Sequence, residues 1–359
     1  MNKISLHLFP KLLISFISLI ILLASPINAD EYKNSDDLKY IHGPVNAEDI
    51  LPLGDTRWMI TSGLNGQFSN TDDTGHIYLA DRENKTFKEL FPAAAPEFDH
   101  DKEMFNACPG PINPRNFSAH GLALTRYSHN KFRLYVTSHG EREAIEVFEI
   151  SSTGAIPSII WTGCVLLPEK MLANSVAILS DGGFVTTKFF DPTMPDSFDD
   201  IFQGKITGSV YEWHPGGQVD VIPGTDLSGG NGIEVSPDNR WVFAAATGTR
   251  EIIRFDRTET PVTIDKVKID IAPDNIRWGD DGLLYTAGSN YVPPEECKNP
   301  PCTTGWSVVS IDPKTMKTQR VGGVDQTAAM QNASAAIPID NEIWIGTYSG
   351  DRIGYLPKP

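Results

Sequence analysis

One short unit recurs six times along this chain. Each copy holds a polar residue, an apolar strand, a turn rich in Asp, Asn or Gly, and a second apolar strand. The copies are EDILPLGDTRWMITSG from residue 48, HGLALTRYSHNKFRLYVTSHG from 120 and NSVAILSDGGFVTTKF from 174. NGIEVSPDNRWVFAAATG follows from 231, DNIRWGDDGLLYTAGS from 274 and ASAAIPIDNEIWIGTYS from 333. The turn residues in LSDGG, SPDNR, GDDGL and IDNEI tolerate the left-handed backbone that tight hairpins require. Each hairpin has a third partner segment: GHIYLAD, AIEVFEI, GSVYEWHP, EIIRFDR, WSVVSIDP and RIGYLP. Their apolar–polar alternation marks half-buried strands. No long amphipathic helix interrupts the pattern. Successive heads lie 43 to 72 residues apart, which suits one four-stranded blade per copy with loop insertions. A single unit of this kind cannot bury its faces alone, so the expectation is one all-β ring, a six-bladed β-propeller. An ordinary β-sandwich is the competing reading.

In a propeller the first strand of each blade lines the central channel, so the residues heading those strands meet at one end of the axis. Here they are Glu48, His120, Asn174, Asn231 and Asp274–Asn275. A buried polar residue is costly unless something satisfies it. One Asn or Asp at a strand start is ordinarily a turn residue; a set of them at matched places argues for joint binding. Two carboxylates and three amides form an oxygen-rich set, which selects Ca2+ over softer metals. Zinc would call for more His or Cys.

The bulk properties narrow the partners. A net charge of −16 and a pI near 4.9 argue against nucleic acid. Most of that charge reads as a solvated acidic surface. Lys3 and Lys11 precede or border the apolar run 12–24, and small residues lead to Ala29. Residues 1–29 therefore read as a secretory signal peptide, since a spanning helix needs about 20 apolar residues. An uncleaved anchor is the alternative, and the sole expected membrane contact. Residues 30–43 then form a lead-in and 44–359 the propeller. The expected location is secreted or periplasmic. Four cysteines agree with an oxidising compartment. Cys297 with Cys302 and Cys108 with Cys164 is one of three possible pairings, with free buried thiols as the alternative. Sequons stand at Asn84, Asn116 and Asn332.

Several blocks, in order, resemble the paraoxonase/arylesterase branch of the gluconolactonase-like six-bladed propellers. They are AEDILPL with WMITSGLNG, FSAHGLAL, LYVTSHGEREAIEVFEI, NGIEVSPDNRWVFAA, PDNIRWG, and ASAA with IWIGT. The resemblance covers roughly 44–357. It implies a catalytic Ca2+ deep in the channel, held by Glu48, Asn174, Asn231, Asp274 and Asn275. It also implies a structural Ca2+, with Asp49 and the Leu122 carbonyl as ligands. Ser175 stands where the family carries a further Asp for that second ion. His120 matches the family's general base and His139 its dyad partner. A histidine titrates near 6.5 when unperturbed, so it can take a proton from water at neutral pH. The implied activity is Ca2+-dependent hydrolysis of lactones or aryl esters, small-molecule substrates both.

Two readings compete with it. One is a binding propeller that keeps the metal for stability. The other is a sugar-lactone hydrolase of the gluconolactonase type, a branch that lacks a comparable histidine pair. The channel mouth departs from the family: TTKFFDP brings Lys188, Phe189 and Phe190. The segment 70–81 fits a Ca2+ loop only in part and leads into a strand, against an EF-hand. No G-x-S-x-G elbow, HExxH, CxxC or phosphate loop is present. The acidic run 190–204 reads as an inserted blade loop with solvated carboxylates.

Overall fold

The computed structural model describes residues 37–64, 74–292, 305–325 and 330–358. The segment 1–29, Cys297 and Cys302 lie outside them. Among the described residues no helix is long and apolar enough to cross a membrane.

Six sheets, one per repeat, are antiparallel in their main strands. Blade 1 runs through Ile50–Pro52, Trp58–Gly63, His76–Asp81 and Thr86–Phe91. Blade 2 holds Phe117–Ser128, Lys131–Gly140, Ala144–Ser151 and Ser158–Leu166, with Glu97–Phe98 added in parallel at its outer edge. Blades 3, 4 and 5 begin with Leu172–Ile178, Gly230–Val235 and Ile271–Trp278. Blade 6 begins with Ala333–Ile339 and ends with Arg352–Pro357. Its fourth strand is Lys39–His42, from the opposite end of the chain, paired from Lys39 with Tyr355 to His42 with Arg352. Part of the lead-in is thus the clasp of the ring. The core fills the spaces between blades. Between blades 1 and 2, Phe91 meets Phe117 and Phe148 edge-on, each at 5.0 Å.

The four hairpin turns follow their chemistry. Gly182, Asn239, Gly282 and Asp340 carry φ of +84°, +58°, +77° and +54°. Asp181, Asp238 and Asp281 accept from backbone N–H groups two residues on.

A second repeated device bears on function. In blades 2 to 6 the inner strand slips register against its partner at one shared place, and blades 2 and 3 carry a further slip each, at Arg126–Ser128 and Leu172–Ala173. The shared slips fall around His120–Gly121, Asn174–Ser175, Asn231–Gly232, Asp274–Asn275 and Ser334–Ala335. These are the repeat heads. In blade 1, Glu48 and Asp49 bracket Ser62 in the same manner, just before the strand proper. Bulges re-aim side chains that regular pleating would send to alternate faces. Glycine after the head lets the next blade close in: a Cβ on Gly121 would stand 2.5 Å from the Asn174 carbonyl oxygen, and one on Gly232 2.5 Å from that of Asp274.

Cys108 and Cys164 form a disulfide. It ties the connection between blades 1 and 2 to the outer part of blade 2. Of the rejected Ca2+ loop, residues 74–81 are described; His76–Asp81 is a strand, and Asp81 is engaged by Arg57 and Asn84.

Candidate active site

The bulges bring the heads together in a buried cluster. Glu48 and Asn275 are fully buried; His120, Asn174 and Asn231 are nearly so. The Asn275 amide donates to Glu48 Oε1 at 2.5 Å. His120 Nε2 lies 3.6 Å from that same oxygen and 3.4 Å from Asn174 Nδ2. Asn231 Nδ2 donates to Thr247 Oγ1 at 3.1 Å, and Thr247 in turn donates to the Pro273 carbonyl. Ser334 donates to the Glu48 carbonyl. Sites from all six blades thus meet through Glu48, His120, Asn174, Asn231, Asp274–Asn275 and Ser334.

The amide nitrogens in this cluster are occupied while the oxygens are not. Glu48 Oε2 and the Oδ1 atoms of Asn174, Asn231 and Asn275 are buried without a hydrogen-bond partner. A buried acceptor left unmade costs about 1–3 kcal/mol, so four at one place mark a site built for something else. Burial raises the pKa of Glu48 well above the usual carboxylate value, and the negative charges of Asp274 and Asp49 raise it further. Burial also raises Asp274, an effect the Asn231 side chain tempers. Both shifts state that the cluster, as its protein atoms stand, disfavours two negative charges. A hard divalent cation would relieve the repulsion and use the free oxygens, so the donor set fits Ca2+. Among the described residues no group of three or more His, Cys, Asp and Glu is arranged for a metal. That is consistent with a set drawing three of its five side chains from Asn.

A chain of hydrogen bonds leads out of the cluster. His120 Nδ1 and His139 Nε2 are 2.8 Å apart, and His139 Nδ1 is 2.8 Å from Glu143 Oε1. An ionised carboxylate only accepts, so His139 donates from Nδ1 and offers its Nε2 lone pair. His120 then donates from Nδ1, and its Nε2 accepts from the Asn174 amide 3.4 Å away, with Glu48 Oε1 at 3.6 Å. Burial holds the His120 pKa well below the ordinary value, helped by His139, and keeps the ring neutral.

Asp49 and Leu122 stand differently. Asp49 Oδ1 accepts from Ile50 N and Arg277 Nε, both at 2.8 Å. Its Oδ2 accepts from Leu122 N at 2.7 Å and from Arg277 Nη2. Arg277 Nη2 also donates to the Leu122 carbonyl at 3.0 Å. The oxygens expected to hold a second ion are filled by a guanidinium. Burial works against the charge on Arg277, but Asp49 and Glu234 beside it more than offset this and raise its pKa.

Beyond Arg277 the inner strands continue to the other mouth of the channel. There they line a cavity of about 660 Å3 bounded by Pro52, Arg126, Ser180, Pro237 and Trp278. At the head end, Lys188 pairs with Ala173, next to Asn174. The acidic insertion follows from there and carries the short helix Ser197–Phe202. Ile201 is buried, and its carbonyl accepts from Ser228. Phe198 and Phe202 are exposed, with Phe190 5.7 Å from Phe198. The carboxylates of Asp191 and Asp200 accept from Thr193 and Lys205.

Sequence reasoning missed Glu143, Thr247, Ser334 and Arg277. The signal for Glu143 was its place four residues after His139 in HGERE. Ser334 occupies the sixth head, in a block recognised only by its strands.

Together these features define a six-bladed propeller whose channel holds a polar cluster beside a histidine pair. The chain belongs to the family described as SMP-30/Gluconolactonase/LRE-like region, whose profile matches residues 71–293. That span includes both histidines and four of the five oxygen-bearing heads. No curated protein matches the chain. Among solved structures, the gluconolactonase XC5397 of Xanthomonas campestris is 19% identical, with a TM-score of 0.53, over 90% of this chain and 89% of its own. A luciferin-regenerating enzyme is 12% identical, with a TM-score of 0.50, over 89% and 92%. At such identities the likeness establishes the fold.

Proposed function

We propose that the protein is a Ca2+-dependent hydrolase of lactones, with aryl esters as a second substrate class. The observation that carries this reading is His120 Nε2 standing 3.6 Å from Glu48 and 3.4 Å from the Asn174 amide, in a cluster that also holds four buried oxygens without partners. Glu48, Asn174, Asn231, Asp274 and Asn275 would hold the ion. Bound there, Ca2+ supplies Lewis-acid polarisation of the substrate carbonyl.

The protein's own groups then handle the proton. His120 Nε2 accepts a proton from water as its oxygen adds to the carbonyl carbon. The Nδ1–H bond to His139 spreads the new positive charge toward the Glu143 carboxylate. As the ester bond breaks, His120 returns the proton to the departing alkoxide oxygen. A lactone and one water thus become one hydroxy acid. The nearby Asn174 amide limits where His120 can turn.

Family membership and the gluconolactonase fold neighbour equally support a sugar lactone as substrate. Relative rates on an aldonolactone and an aliphatic lactone separate the two. A propeller that binds without turnover would take up Ca2+ and open neither. The Cys108–Cys164 disulfide supports export to an oxidising compartment. The deciding experiment follows acid release from a lactone panel before and after EGTA, then with Ca2+ restored. Activity that survives chelation overturns the reading. A His120→Gln protein with full turnover removes the base and spares the metal.

A further inference from the structure

Arg277 lies two residues beyond Asn275, on the strand Ile271–Trp278. It is among the largest fully buried side chains. A guanidinium has five N–H donors, and each has an acceptor here. Nε donates to Asp49 Oδ1 at 2.8 Å. Nη2 donates to Asp49 Oδ2 and to the Leu122 carbonyl. Nη1 donates to Glu234 Oε1 at 3.2 Å and to the Ile276 carbonyl at 2.7 Å. Blades 1, 2, 4 and 5 therefore send oxygens to one positive charge on the channel axis.

Asp49 is equally complete. Two backbone N–H groups and two guanidinium N–H groups fill both carboxylate oxygens. A metal ion would have to displace Arg277, and the displaced cation would lose five hydrogen bonds inside the protein. Burying one partner of such a pair without the other is strongly unfavourable. Ser175 completes the pattern. Its Cα lies 2.6 Å from the position a Gly121 Cβ would take, one residue before Leu122. A neutral hydroxyl there adds no charge that would need a second positive unit.

We propose that Arg277 takes the place of a second channel cation, so that this chain binds one divalent ion rather than two. The tethered charge ties four blades together at any calcium concentration. The ion at Glu48, Asn174, Asn231, Asp274 and Asn275 then serves the reaction, while Arg277 carries the structural role. This inference rests on the calcium reading above only for the expected count of one.

Equilibrium dialysis with Ca2+ alone, on the folded wild-type chain, tests it without reference to activity. One ion per chain is expected; a second ion overturns the proposal. An Arg277→Ser, Ser175→Asp double variant removes the tethered charge and adds a carboxylate. It should take up one ion more than wild type and become more dependent on Ca2+ for its thermal stability. A folded double variant with the wild-type count overturns the proposal. Should the double variant fail to fold, the wild-type count decides. No ion in the wild type would defeat the catalytic-metal reading, whereas the extra ion in the double variant would still sustain the role of Arg277.

Discussion

Asn275 donates its side-chain amide to Glu48 at 2.5 Å, joining residues 227 positions apart in the chain. The bond leaves Asn275 Oδ1 and Glu48 Oε2 without partners. An ion binding only the folded ring should therefore stabilise it. At a hundred times its dissociation constant the gain is about 2.7 kcal/mol, which corresponds to a rise in Tm of roughly 3–5 °C for a chain of this size. Differential scanning calorimetry in EGTA and in excess Ca2+ measures this. Identical melting curves would count against the metal site, and Glu48→Gln should reduce the difference.

The His120–His139–Glu143 path predicts graded losses. His120→Gln should lower kcat by about 10²–10⁴-fold, the usual worth of a general base. Glu143→Gln should cost about 10- to 100-fold, the typical effect of removing an orienting partner. Neither should change the amount of Ca2+ bound. Steady-state kinetics with a fixed lactone reads the ratio; wild-type kcat in Glu143→Gln would refute the relay.

The Cys108–Cys164 bridge spans 56 residues. Closing a loop of that length restricts the unfolded chain by about 4 kcal/mol in the chain-entropy account. A Cys108→Ser, Cys164→Ser double variant should unfold at a clearly lower urea concentration. An unchanged midpoint would mean the bridge contributes nothing to equilibrium stability.

At the protein surface, His214 sits between Asp181 and Glu212. Burial alone would lower its pKa, but the two carboxylates raise it above the ordinary value. A raised pKa means that folding favours the protonated ring. The stabilisation is complete below about 6.5, the unfolded value, and fades as pH rises through the folded one. His214→Gln should thus lose most stability in mild acid and least in alkali. Because the ring is half exposed, the effect is modest. A Tm deficit independent of pH would exclude the ion pairs as its cause.

What the sequence made legible was what repeats. Heads such as Asn174 and Asn231 stood out because the same place recurs in each blade, and turn residues such as Asn239 because backbone geometry restricts them. Glu143 was hidden because its meaning depends on His139 turning toward His120. Arg277 was hidden because one charge in an alternating strand reads as a solvent-facing residue; only the folded ring encloses it. Lys39–His42 was hidden because four residues of lead-in carry no periodicity, and their partner lies at the far end of the chain.

That clasp imposes an order on biogenesis. Lys39–His42 emerges from the ribosome first among the strands, yet must wait for Arg352–Pro357 before it has anything to pair with. Until then blade 6 lacks its two outer strands, and nothing hydrogen-bonds Lys39–His42 into the ring. Closure of the ring therefore depends on pairing two segments from far apart in the sequence. A chain lacking Arg352–Pro357 would keep the residues of the polar cluster and lose the clasp that closes the ring around them.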